Sequence, residues 1–183
     1  MKPLPPGLVI RAACEDDVAA ITRIYDYHVA YGTASFEYDP PGETEMMRRF
    51  RETIRRGFPY IVAEVDGQVL GYAYGGQYRP RIGYRYTVED SIYIHHEHAG
   101  KGLGRALLTE LIVQCERMGC RQMMAVIGDS SNVASIKLHE QFGFTMVGTL
   151  KSVCWKFDRW IDSVLMQKEL GGGNRTAAPT STK

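Results

Sequence analysis

The junction from Ile92 to Arg105, IYIHHEHAGKGLGR, constrains this chain more than any other segment. A β-rich run passes into Gly100, Gly102 and Gly104 and then straight into an apolar-faced helix. Glycine lets a backbone approach a ligand closely, and the first turn of a helix offers unpaired N–H groups and a positive dipole end. That combination suits a diphosphate, although a tight strand-to-helix connection would use the same residues. Spacing separates the nucleotide readings. A phosphate loop of the GxxxxGK[ST] kind is excluded, because Lys101 precedes the second glycine and Arg105 follows the last. A GxGxxG dinucleotide fingerprint belongs after a first strand, whereas these glycines follow several elements. A coenzyme A diphosphate loop fits both order and place.

The surrounding pattern gives the architecture. LVIRAA from Leu8 reads as a strand, and Glu15, Asp16 and Asp17 precede a helix whose apolar face is Val18, Ile21, Tyr25 and Val29. After the break at Pro40 to Gly42, Met46, Met47, Phe50 and Ile54 mark a second helix ending near Gly57. YIVAEV and QVLGYAYG are strands joined by Asp66-Gly67, a strong hairpin signal, and TVEDSIYI is a third. Leu103, Ala106, Leu107, Leu111 and Cys115 line the helix after the glycines. MMAVIG is a strand, NVASIKLHEQF a helix stopped by Gly143, and Phe144 to Leu150 and Ser163 to Leu170 are closing strands. Hairpins together with crossovers predict an α/β (α+β) fold, with a mixed central sheet of about seven strands flanked by about four helices.

The 183 residues suffice for one domain, expected over 8–170, with a flexible N-terminus at 1–7 and a disordered Gly, Thr, Ala, Pro and Ser-rich tail at 171–183. A composition 44% hydrophobic and 23% charged, with net charge +1, excludes an acidic disordered chain, a collagen and a polybasic binder of nucleic acid. No apolar run approaches the roughly 20 residues of a membrane helix, and the first residues carry no leader-like run, so a cytoplasmic protein with no membrane partner is expected. Cys14, Cys115, Cys120 and Cys154 show neither a CxxC pair nor a partnered histidine spacing, which predicts packing residues with no disulfide framework and no metal.

Three segments carry a family resemblance: TVEDSIYIHHEHAGKGLGRALL, NVASIKLHEQFGF and VCWKFDRWIDSVLMQ. Over about Val9 to Leu170 the chain resembles the GCN5-related N-acetyltransferase (GNAT) superfamily, and within it the phosphinothricin and methionine sulfoximine acetyltransferase branch. One departure is Ala99, where the superfamily pattern has Gln or Arg three residues before Gly102; the backbone donors are unaffected. The resemblance implies the GNAT acyl-CoA fold and acetyl-CoA as co-substrate. It implies pantetheine pairing along Ile92, Tyr93 and Ile94, and a diphosphate held at Gly100, Lys101, Gly102, Leu103, Gly104 and Arg105. Asn132 and Ser135 would complete the coenzyme site. It also implies a homodimer and a role in antibiotic or herbicide resistance.

Acetyl transfer to an amine requires a neutral amine and hence a base. Glu89, on the strand leading to the glycines, is the candidate, directly or through water, because partial desolvation raises a carboxylate toward neutrality. The branch resemblance places its base at the same glutamate. The superfamily usually has a tyrosine proton donor where this chain has His139, and Asn132, Ser135 and His139 fall on one helix stripe. The loop YRPRIGYRY, with Arg79, Arg81 and Arg85 among tyrosines, suits the carboxylate of an amino acid. By resemblance, Arg81, Ile82, Gly83, Tyr84 and Arg85 are substrate contacts, and Phe36 with Glu37 helps close the pocket. Trp155, Lys156 and Trp160 are assigned to the pocket or a dimer interface. The expected reaction is direct attack in a ternary complex on acetyl-CoA by the α-amino group of a small amino-acid analogue. The alternatives are another amine, such as a peptide N-terminus or polyamine, and a non-catalytic acyl-CoA sensor.

Overall fold

A computed structural model of the chain describes residues 3–178. β1 (Val9–Ala12) leads to α1 (Val18–Tyr31) and α2 (Gly42–Arg55), followed by β2 (Tyr60–Val65), β3 (Gln68–Gln77) and β4 (Thr87–Ile94). Then come α3 (Leu103–Arg117), β5 (Gln122–Gly128), α4 (Val133–Gln141), β6 (Thr145–Lys156) and β7 (Arg159–Glu169). The seven strands form one sheet in the order β1-β2-β3-β4-β5-β7-β6. β4 and β5 run parallel, joined through α3, and the other pairings among the described residues are antiparallel. This is the mixed sheet with four helices that the sequence predicts.

Strand alternation distributes the apolar side chains between two cores. Ile61, Ala63, Ala73 and Val88 pack with Leu103, Leu107 and Leu111 of α3. Tyr60, Val62, Tyr72 and Tyr93 pack with Val18 and Ile21 of α1 and Phe50 of α2. Each fully buried Leu or Ile contributes about 1.5–3 kcal/mol, so the helices are held by burial of one face rather than by propensity.

Asp66 and Gly67 both have positive φ (50° and 77°), as the expected two-residue hairpin requires. The closing strands are longer than the sequence pattern suggests: β6 runs to Lys156 and β7 starts at Arg159, around a turn with φ of 52° at Phe157 and 54° at Asp158. That turn carries no glycine, and the register breaks between Leu150 and Cys154, so neither turn signal nor alternation marks it. Residues 171–178, expected to be disordered, form turns docked on the domain. Gly171 N donates to Glu116 Oε1 (3.0 Å), and Arg121 donates to the Ala177 carbonyl (3.2 Å). The remainder of the expected tail, 179–183, and residues 1–2 lie outside the described residues.

Candidate active site

β4 and β5 pair from Thr87↔Gln122 to Asp90↔Ala125 and no further. Beyond that point the strands diverge, β4 to Ile94 and β5 to Gly128. The opening leads into a cleft of about 920 Å³, lined by both strands, the loop after α1, the glycine turn and α4.

The glycine turn forms one end of the cleft. Gly100 and Gly102 have φ of 73° and 87°, values that side-chain-bearing residues rarely adopt, and Gly102 caps α3. A Cβ on Gly104 would stand 3.3 Å from Leu138 of α4. The first α3 amide bonded back along the helix in this turn is Ala106 N, to Gly102 O (3.1 Å), so helix geometry leaves the preceding amides without an intrahelical acceptor. A concave set of donors at a helix N-terminus fits a diphosphate. Gly100, Gly102, Gly104 and Arg105 line the cleft, whereas Lys101 does not. Leu103 has its side chain buried in the core, so only its amide can serve a ligand.

One wall is α4. Asn132 caps the helix, its Oδ1 accepting from Ser135 N (3.2 Å), and both line the cleft. His139 also lines it and is buried, with Nδ1 2.7 Å from the Ser135 carbonyl and Nε2 3.0 Å from Asp90 Oδ2. Burial works against the imidazolium, but the Asp90 hydrogen bond and charge, with the Ser135 carbonyl, outweigh it and raise the His139 pKa. Asp90 Oδ1 is buried without a protein partner.

Adjacent residues of a strand point to opposite faces, so Glu89 faces the α1 side while Asp90 faces α4. Glu89 lines the cleft with Tyr74, Ser35 and Phe36. Burial and the neighbouring Asp90 charge push its carboxyl up to about 7, against the pull of Arg79.

The loop that carries Ser35 and Phe36 is fastened by Lys156. Its buried Nζ donates to the carbonyls of Val29 (2.8 Å), Gly32 (2.9 Å) and Ser35 (2.8 Å). Tyr25 OH bonds Ser35 Oγ (2.8 Å) and Glu37 Oε1 (2.9 Å), and Arg49 pairs with Glu37 (2.6 Å). Gly128 at the end of β5 leaves room for this loop; a Cβ there would stand 1.9 Å from the Thr33 carbonyl oxygen.

Of the pantetheine candidates, Ile92, Tyr93 and Ile94 all line the cleft, although the Ile94 carbonyl already accepts from His28 Nε2 (2.8 Å). Arg81, Ile82, Gly83, Tyr84 and Arg85 are exposed on a short 3-10 turn (Ile82–Tyr84), and none of them lines the cleft. Arg79 is the cation of that loop whose charge reaches Glu89. Trp155 and Trp160 are exposed, packed edge to face 5.2 Å apart, and stand outside the cleft lining; Lys156 lies under the loop.

The Acetyltransferase (GNAT) domain model matches residues 10–165. The chain belongs to the GNAT acetyltransferases. This GNAT enzyme is 53% identical over 167 residues to phosphinothricin N-acetyltransferase of Alcaligenes faecalis, covering 91% of this chain and 85% of the relative. It is 43% identical to the L-methionine sulfoximine/L-methionine sulfone acetyltransferase of Salmonella typhimurium, over 89% and 95% of the two chains. It superposes with a TM-score of 0.93 on the crystal structure of a GNAT superfamily phosphinothricin acetyltransferase from Sinorhizobium meliloti in complex with AcCoA. That chain is 44% identical, with coverage of 96% and 95%.

Sequence reasoning missed Asp90, His28, Tyr74, Gly128 and the role of Lys156 in this GNAT enzyme. Alternation along β4 was a usable signal for Asp90, since it puts Asp90 on the side opposite Glu89. Lys156 and Gly128 act on a loop more than 90 residues away in sequence, which local pattern cannot reveal.

Proposed function

We propose that this N-acetyltransferase moves the acetyl group of acetyl-CoA to the α-amino group of a small amino-acid analogue of the phosphinothricin, methionine sulfoximine or methionine sulfone type. The observation that carries the reading is the two-sided cleft. Glu89, its carboxyl up to about 7, stands on the α1 wall, and the glycine turn with α4 forms the other side. Acetyl-CoA supplies the thioester carbon: as the amine nitrogen bonds to it, the carbon–sulfur bond breaks and the thiolate leaves.

The chain's own residues do the rest. Amides at Gly100 to Arg105 bind the diphosphate, and the stretch of β4 that has parted from β5 orients the pantetheine arm in strand fashion. Ser35, Phe36 and Tyr74 shape the amine pocket. Glu89 takes the ammonium proton, directly or through a water, and its position near neutrality suits the task. His139, whose pKa the Asp90 hydrogen bond raises against the effect of burial, lies on the coenzyme wall as the proton source for the sulfur. Arg79, electrostatically linked to Glu89, favours a substrate that carries a carboxylate beside its amine, and Arg81 and Arg85 extend that positive rim. A polyamine is disfavoured by the same charges.

Two copies are proposed to associate through the β6 edge, where Met146, Val147, Leu150, Val153 and Trp155 are all exposed. A cytoplasmic enzyme that protects its host against amino-acid-like antibiotics or herbicides follows from this substrate class. No helix among the described residues is long and apolar enough to cross a membrane, and the four cysteines are free thiols. Neither a catalytic metal nor a nucleic-acid partner is required by this chemistry.

The test is thiol release from acetyl-CoA across amino acids, sulfoximine and sulfone analogues, polyamines and peptides. Turnover confined to the α-amino-acid analogues is the expected outcome. Preference for a polyamine or peptide N-terminus would replace the substrate assignment, and coenzyme binding without turnover on any amine would overturn it.

A further inference from the structure

The segment between β4 and the glycine turn brings together three metal-binding side chains that the sequence spacing did not suggest. Ligand atoms of His95, Glu97 and His98 all lie within 4.8 Å of one another. The reason is local geometry. His96–His98 form a 3-10 turn, and three residues per turn bring positions i and i+3 to the same side, so His95 and His98 meet with ring centroids 5.5 Å apart.

The backbone beneath them is fixed: His95 N donates to Leu70 O of β3 (2.9 Å) and His98 N to His95 O (2.8 Å). Glu97 is exposed and enters no salt bridge among the described residues. The contact that occupies His95 Nδ1, from Glu97 N, is long at 3.4 Å and yields readily.

We propose that His95, Glu97 and His98 form a site for a divalent transition-metal ion of the zinc class, apart from the acetyl-transfer cleft. Two imidazoles and one carboxylate suit zinc, cobalt or nickel over magnesium or calcium, and three protein ligands leave a position for water. None of the three lines the cleft, whereas His96 between them does, and it stacks on Tyr27 at 3.8 Å. The ion therefore ties the outer side of the turn that links the coenzyme-facing strand to the diphosphate turn. This inference is independent of the substrate assignment.

Untagged, coenzyme-free protein is titrated with Co²⁺, followed by visible spectroscopy, and with Zn²⁺, followed by calorimetry. The expected result is a single saturable equivalent with a nitrogen and oxygen ligand spectrum. Affinity should fall at least about tenfold in His95→Ala and in His98→Ala, less in Glu97→Gln, and stay unchanged in His96→Ala. Zn²⁺ should raise the thermal midpoint of the native protein and not that of His98→Ala. A readout free of variants is paramagnetic broadening by Co²⁺ confined to amides near 95–101. Absence of saturable binding, equal binding by the His95→Ala/His98→Ala double variant, or a thiolate-to-cobalt charge-transfer band would each overturn the site.

Discussion

His139 Nε2 lies 3.0 Å from Asp90 Oδ2, and both side chains are almost wholly withdrawn from solvent. Breaking a buried pair on one side leaves an uncompensated charge, so His139→Ala should cost about 3–5 kcal/mol of stability, measurable by denaturant unfolding. Asp90→Asn removes the interaction that raises the imidazole, so the His139 pKa followed by NMR should fall. A folded-state pKa above the unfolded one stabilises below the unfolded value of 6.5, and the contribution is lost as pH rises through the folded pKa. The stability difference between wild type and Asp90→Asn should therefore narrow at alkaline pH. A His139 pKa unmoved in Asp90→Asn would remove the pair from any account of the coenzyme wall.

Glu89 offers a second titration of the same sign, because its folded-state pKa is also raised. Its carboxyl is raised from 4.5 to about 7, so the folded state holds a proton that the unfolded chain releases between those values. Wild-type stability should drop relative to Glu89→Gln as pH rises through this window, by at most about 3 kcal/mol, with the two converging near pH 4. Initial rates should give a kcat/KM profile rising with an apparent pKa near 7, which Glu89→Gln flattens while retaining residual activity. An identical profile in Glu89→Gln would acquit this carboxylate.

Substitutions in the glycine turn separate binding from chemistry. Gly102→Val forces a β-branched residue to φ 87°, and Gly104→Leu drives a side chain into Leu138. Calorimetry with acetyl-CoA should show binding nearly abolished in both. Normal affinity in Gly102→Val would show that the diphosphate is held elsewhere.

Lys156 predicts a different split. Lys156→Met removes three charge-assisted hydrogen bonds to the loop after α1 without touching the glycine turn or α4. KM for the amine should rise about tenfold to a hundredfold, the scale of misplacing a reactant, while the acetyl-CoA Kd stays within about twofold. Gly128→Ala should do the same by pushing on the Thr33 carbonyl. An equal loss for both ligands would mean that the loop has no separate role in seating the amine.

Where the structure depends on local residue chemistry, the sequence is readable. The glycine turn, Glu89, Asn132 and His139 stand on the elements where the spacing put them, and the Asp66-Gly67 hairpin formed as its residue types require. What escaped depended on distance along the chain. The turn at Phe157 and Asp158 adopts left-handed backbone without glycine, held by the long β6 and β7 ladder rather than by its own preference. Lys156, assigned with Trp155 and Trp160 to the pocket or a dimer interface, has as its acceptors carbonyls from α1 onward, which no local pattern reveals. The Arg81 to Arg85 loop is solvated on a 3-10 turn outside the cleft lining, a placement that its composition does not reveal.

The short parallel junction has a mechanical implication. With only Thr87 to Asp90 joined to Gln122 to Ala125, the sheet consists of two plates, one of β1 to β4 and one of β5 to β7, meeting along a brief seam. A ligand wedged past the end of that seam bonds to both plates and belongs to the folded form alone, so saturation stiffens the whole molecule as a rivet does. At a hundredfold excess over its dissociation constant such a ligand adds about 2.7 kcal/mol, and amide exchange along Ser91 to Ile94 and Val126 to Gly128 should slow together.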